Sequence, residues 1–107
     1  MNHQEMNLNI RLDPNTEMWD SIIPEIYREM DGWLGFGTEE TKGRINLPHW
    51  FSFDEKEKHI CASVEAGGIH FSGLMEDEEW ENWKKKIKKI ATENFGFSIG
   101  EIELGEG

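Results

Sequence analysis

The chain has 107 residues, with 22 Asp or Glu against 11 Lys or Arg, for a formal net charge of −11. That length sets one domain with a single core. The acid excess disfavours nucleic acid and anionic lipid as partners and favours a basic one, while the lone cysteine, Cys61, excludes an intramolecular disulfide.

Met6, Leu8, Ile10 and Leu12 alternate with Asn7, Asn9 and Arg11, which predicts a half-buried strand. Asp13-Pro14-Asn15 supplies turn chemistry, and Asn15 or Thr16 can cap a following helix. Trp19, Ile22, Ile23, Ile26 and Met30 share one helical face over 16–31. Pro24 interrupts that stretch, so either the helix kinks there or Ser21 caps a second helix with Pro24 in its first turn; a kink is preferred. Asp31-Gly32 closes the helix.

Residues 32–48 are irregular and Gly-rich, with a short extended piece at Arg44–Leu47, and residues 49–53 form a short strand. Ile60, Ala62 and Val64, then Ala66-Gly67-Gly68, then Ile69, Phe71 and Gly73 predict a β-hairpin. Trp80, Trp83, Ile87, Ile90 and Ala91 make the apolar stripe of a helix over 76–94. Its acids come first and its lysines later, as the helix dipole prefers, and Gly96 stops it. A last strand is expected over 97–104, with a bulge near Gly100. The order predicts an α+β domain of split β-α-β-β-α-β, ferredoxin-like plan. One antiparallel sheet is covered on one face by two helices, with an extra aromatic segment at 32–53.

Candidate chemistry is sparse. His59, Cys61 and His70 fall on one side of the hairpin but lack the compact spacing and fourth ligand of a zinc site. Cys61 lies mid-strand, with nothing to lower its pKa. The run Glu76–Glu81 suits a helix start rather than a calcium loop, which needs a Gly turn between its ligands. Gly32, Gly35 and Gly37 do not make the dinucleotide fingerprint, because no strand leads into them. No metal, cofactor or catalytic residue is expected.

The concentration of large side chains in 33–53 is a stronger signal. Trp is enriched at binding hot spots, where a polar rim surrounds a dry centre. Trp33, Phe36 and Trp50 are candidate anchors, with Glu39, Glu40, Asp54, Glu55 and Glu57 as the acidic rim. Leu34 and Phe51 are expected to close the core instead.

The C-terminal half, through FSGLM at 71–75, the pair Trp80 and Trp83, Ile90-Ala91, and GFSIGEIE at 96–103, resembles small bacterial immunity proteins of polymorphic toxin systems. The resemblance implies a non-enzymatic protein that binds and neutralises a cognate toxin domain with a basic surface. A small regulatory module that self-associates, as a homodimer through an open sheet face or edge strand, is the alternative. The first ten residues lack the basic and apolar stretches of a signal peptide, and no apolar run approaches about 20 residues. A cytoplasmic location without membrane attachment is expected.

Overall fold

A computed structural model describes residues 1–10, 21–41, 43–65 and 67–102. Its elements are β1 (Asn2–Leu8), α1 (Ile23–Glu29), β2 (Trp33–Phe36), β3 (Pro48–Trp50), β4 (His59–Glu65), β5 (Gly68–Met75) and α2 (Asp77–Phe95). The strands form one sheet in the order β1-β5-β4-β3-β2, with every neighbouring pair antiparallel. The domain is therefore α+β with an open antiparallel sheet and two helices. The predicted Asn15 or Thr16 cap, the turn at 13–15, Trp19, Ala66 and the last two residues of the predicted final strand lie outside the described residues.

The predicted hairpin forms as β4 and β5, in register from His59↔Leu74 to Glu65↔Gly68. Its apolar phase explains the layering. Ile60, Ala62, Ile69, Phe71 and Met75 are buried, and they join Met6 and Leu8 of β1 and Trp50 of β3 in one core. From the helices come Ile23, Ile26 and Tyr27, and Trp80, Trp83, Ile87 and Ala91. Both helices lie on the same side of the sheet, since the Tyr27 and Trp83 rings each pack on Trp50 and Phe71. Burying each large apolar side chain contributes about 1.5–3 kcal/mol, so this aromatic junction is the main tie between the layers.

β1 lies antiparallel beside β5, the return strand of the predicted hairpin, and β3 and β2 extend the sheet beyond β4. α1 begins at Ile23, so Pro24 lies in its first turn, and Ile22 before it already has right-handed helical backbone, φ −70° and ψ −52°. Residues 16–20 of the predicted helix lie outside the described residues. No final strand forms over 97–102. Only Glu101 bridges Leu8, with Asn9 N donating to the Gly100 carbonyl and Gly100 N donating to Asn9 Oδ1. Without a ladder there is no bulge at Gly100.

Two ends of the fold rest on particular contacts. Gly96 ends α2 in the left-handed conformation, φ 78°, and its N–H returns to the Thr92 carbonyl. Glu101, itself buried, accepts from Lys88 Nζ at 2.7 Å and Lys84 Nζ at 3.3 Å, which ties the C-terminal stretch to α2.

The segment read as irregular contains an edge strand. In β2, Trp33 pairs with Trp50, Gly35 with His49 and Phe36 with Pro48, so Leu34 is the extra residue of a bulge. The bulge resets the side-chain alternation. Trp33 and Phe36 therefore point to the helix side together, their rings perpendicular at 5.7 Å.

Candidate partner-binding surface

The sequence-predicted site residues separate into three places. Trp50 is fully buried; its ring touches Tyr27, Trp33, Phe71 and Trp83, and its Nε1 donates to the Tyr27 carbonyl. It serves the core and offers no surface to a partner. Asp54, Glu55 and Glu57 belong to the turn before β4. Asp54 Oδ1 accepts from Lys56 N, Glu57 reaches Ser52, and Glu55 pairs with Arg44. Glu55 lines the open side of the sheet, opposite the helices, with His59, Cys61 and Leu74. Trp33, Phe36, Glu39 and Glu40 remain together at the β2 edge.

At that edge Trp33 is half-buried against the core, whereas Phe36 is 49% exposed. Glu39 and Glu40 are exposed in a turn closed by Thr41 N donating to the Thr38 carbonyl. Leu34, expected in the core, is 44% exposed because the bulge ejects it. Phe51 is half-buried and packs on the core, as expected.

Phe36 forms part of a cleft of about 210 Å³. One wall is Ile23, Pro24 and Tyr27 of α1; the others are Leu47, Pro48, Ala62 and Val64. Val64 continues the buried phase of Ile60 and Ala62 but is 46% exposed. The helix layer stops short of it. Ile45, which bridges the residue after Phe36, is also exposed. Sequence reading missed Val64, Ile45 and the α1 wall. The available signal was the length of the β4 alternation, which outruns any helix stripe able to cover it.

Charge sharpens the distinction between surfaces. Around the α2 start, Glu76 pairs with the N-terminal amine, Glu79 with Lys58 and Glu81 with Lys84. Asp77 accepts from Asn2 and Gln4, and those hydrogen bonds hold its carboxyl below the usual range. That acidic run is largely spent on internal contacts. After Phe36, Glu39 and Glu40 are exposed and make no ion pair with any described residue.

The open sheet face carries all four histidines. His49 is buried; its Nε2 accepts from Arg44 N and its Nδ1 donates to the Leu47 carbonyl, so the ring is neutral. Burial, the largest influence, holds its pKa below the usual value. His59 Nδ1 donates to the Glu57 carbonyl, and His70 Nδ1 to Asn7 Oδ1. The sheet places His59 opposite Leu74, Cys61 opposite Ser72 and His70 opposite Ser63, in three successive rows. Among the described residues no three His, Cys, Asp or Glu side chains converge to hold a metal ion. Burial pushes the Cys61 thiol up, which keeps it protonated and poorly nucleophilic at neutral pH.

Comparisons with protein-family models, with curated proteins and with solved structures returned no match. Among the described residues, no helix is long and apolar enough to cross a membrane.

Proposed function

We propose that this protein is an immunity-type inhibitor that binds a toxin domain through the acidic, apolar surface at the β2 edge and performs no catalysis. The observation that carries the reading is local: exposed Phe36 and Val64 line one apolar cleft, and Phe36 is followed in the chain by exposed Glu39 and Glu40, which make no ion pair with any described residue. Isolated exposed apolar residues need no explanation, but a cluster at a formed cleft, rimmed by charge, is the pattern of a protein contact. Many toxin domains act on anionic substrates through basic grooves. An inhibitor of net charge −11 approaches such a groove under attraction, which raises the association rate. Apolar anchors then slow dissociation.

The ferredoxin-like comparison is not needed for this reading, because the surface arises from the bulged β2 and the overhanging end of β4. Expression of the chain with whatever polypeptide is encoded immediately upstream of it tests the reading. Restored growth together with a stoichiometric complex is expected. Continued toxicity with the chain folded and in excess would overturn it.

A further inference from the structure

The α1–β4 cleft has a size, shape and charge that describe what fits it. Its volume of about 210 Å³ falls below the ~300–1,000 Å³ of ordinary small-molecule sites and suits one large side chain. Its walls are mostly apolar, from Ile23, Tyr27, Phe36, Leu47 and Val64, with Asn46 and Ser63 as polar exceptions. Phe36 and Val64 stand half-exposed at its rim, so apolar area remains to be covered. Exposed Glu39 and Glu40 lie three and four residues beyond Phe36 in the chain, whereas Glu65, next to Val64, alternates to the open face with His59 and Cys61. Glu25, beside Pro24, is already paired with Arg28.

We infer that this cleft receives a single aromatic side chain from a protein partner, flanked by Lys or Arg that meet Glu39 and Glu40. The inference rests on the protein-binding reading above and adds the chemistry of the recognised segment. Apolar insertion supplies the affinity, because Tyr27 and Phe36 present ring faces and edges that an incoming ring can pack against. The carboxylates supply selection, since an acidic segment with the same aromatic residue would be repelled. The bulge at Leu34 contributes by turning Phe36 to the helix side, where it completes the cleft. It also disrupts the outer hydrogen-bonding edge of β2, which favours side-chain docking over strand addition.

The probe is the peptide Lys-Lys-Trp-Lys-Lys, acetylated and amidated, added to the ¹⁵N-labelled full chain. Its controls are Lys-Lys-Ala-Lys-Lys and Glu-Glu-Trp-Glu-Glu. Saturable amide shifts are expected at Ile23, Phe36, Leu47 and Val64 with the first peptide, and weak, non-saturating shifts with the other two. Lowered salt should strengthen binding, by about two- to five-fold for each exposed ion pair formed. Val64→Trp should occupy the cleft from its own rim and abolish the shifts while leaving the spectrum of a folded chain. Equal shifts from the alanine peptide, or saturable shifts confined to the α2 start, would overturn the inference. The two levels fail separately. If Val64→Trp still neutralised the toxin with undiminished affinity, the cleft would be refuted and the immunity reading retained. If the peptide bound as described but no toxin did, the immunity reading alone would fall.

Discussion

Replacing Trp50 with Ala should unfold a large part of this protein's stability margin. Trp50 is wholly buried, and four aromatic rings lie with centroids 5.1–6.0 Å from its own. Truncating a buried Trp to Ala costs about 3–5 kcal/mol through lost burial and the cavity left behind. Loss of the Nε1 bond to the Tyr27 carbonyl adds about 1 kcal/mol. A domain of this size has roughly 5–15 kcal/mol in total, so the variant should retain only part of it. At about 4 °C or more per kcal/mol, its Tm should fall by at least about 15 °C. Urea unfolding followed by circular dichroism measures the effect directly. Phe36→Ala is the companion, since Phe36 is half-exposed at a cleft rim; its cost should stay below about 1.5 kcal/mol. A Trp50→Ala loss under about 1.5 kcal/mol, or a Phe36→Ala loss as large as that of Trp50→Ala, would refute this division between core and surface.

Three further outcomes follow from other parts of the fold. Gly32 has φ 86°, and a Cβ there would lie 2.7 Å from the Phe51 ring; Gly32→Ala should therefore cost about 2–4 kcal/mol in urea unfolding, from backbone strain plus the ring displacement. His49 has a folded pKa held below its unfolded value of about 6.5, chiefly by burial. Below pH ~6.5 the unfolded chain binds more protons, so stability should fall as pH drops from about 6.5 toward the folded value. An NMR titration of the His49 ring should show its midpoint below about 6.5, and a midpoint at or above it would contradict burial as the dominant influence on the ring. Glu101→Ala leaves Lys84 and Lys88 without their shared carboxylate and should cost about 1–3 kcal/mol, less than a fully buried pair because both lysines are partly exposed. Unchanged urea stability would show that the bridge contributes nothing.

The hairpin and α2 were legible because their signals are local. Alternation from Ile60 to Val64 and from Ile69 to Gly73 needs only a sheet with one covered face, and the Trp80–Ala91 stripe needs only a helix lying on it. β2 was not legible. It has four residues, two turn-like glycines follow Trp33 closely, and the bulge at Leu34 breaks the alternation that would announce a strand. The same bulge misdirected the reading of Leu34. Strand order is a tertiary property: which strand β1 pairs with depends on the path of the connection, and the β1 pattern is the same for any neighbour. The final strand failed because Ile99 is buried while Phe97 and Ile102 face out, so three apolar residues signalled a ladder that only Glu101 begins.

The residues grouped in sequence are only partly grouped in space. Trp33 and Phe36 share the helix side of β2, and Glu39 and Glu40 follow in an exposed turn. Trp50 could not be distinguished from Trp33 by type, since burial of an aromatic depends on the layer it faces and not on its neighbours in sequence. Glu55 was grouped with Glu39 and Glu40 by composition, yet its pairing with Arg44 and its place on the histidine face separate it from the cleft.

The most direct test of the central claim is the affinity of the purified chain for the polypeptide encoded immediately upstream, measured with Phe36→Ala and with Glu39→Lys, Glu40→Lys beside the unaltered protein. The account predicts a tight one-to-one complex, about thirty-fold weaker binding for Phe36→Ala as a hot-spot loss, and slower association for the charge reversals at unchanged stability. A folded chain that forms no complex at low salt would contradict it.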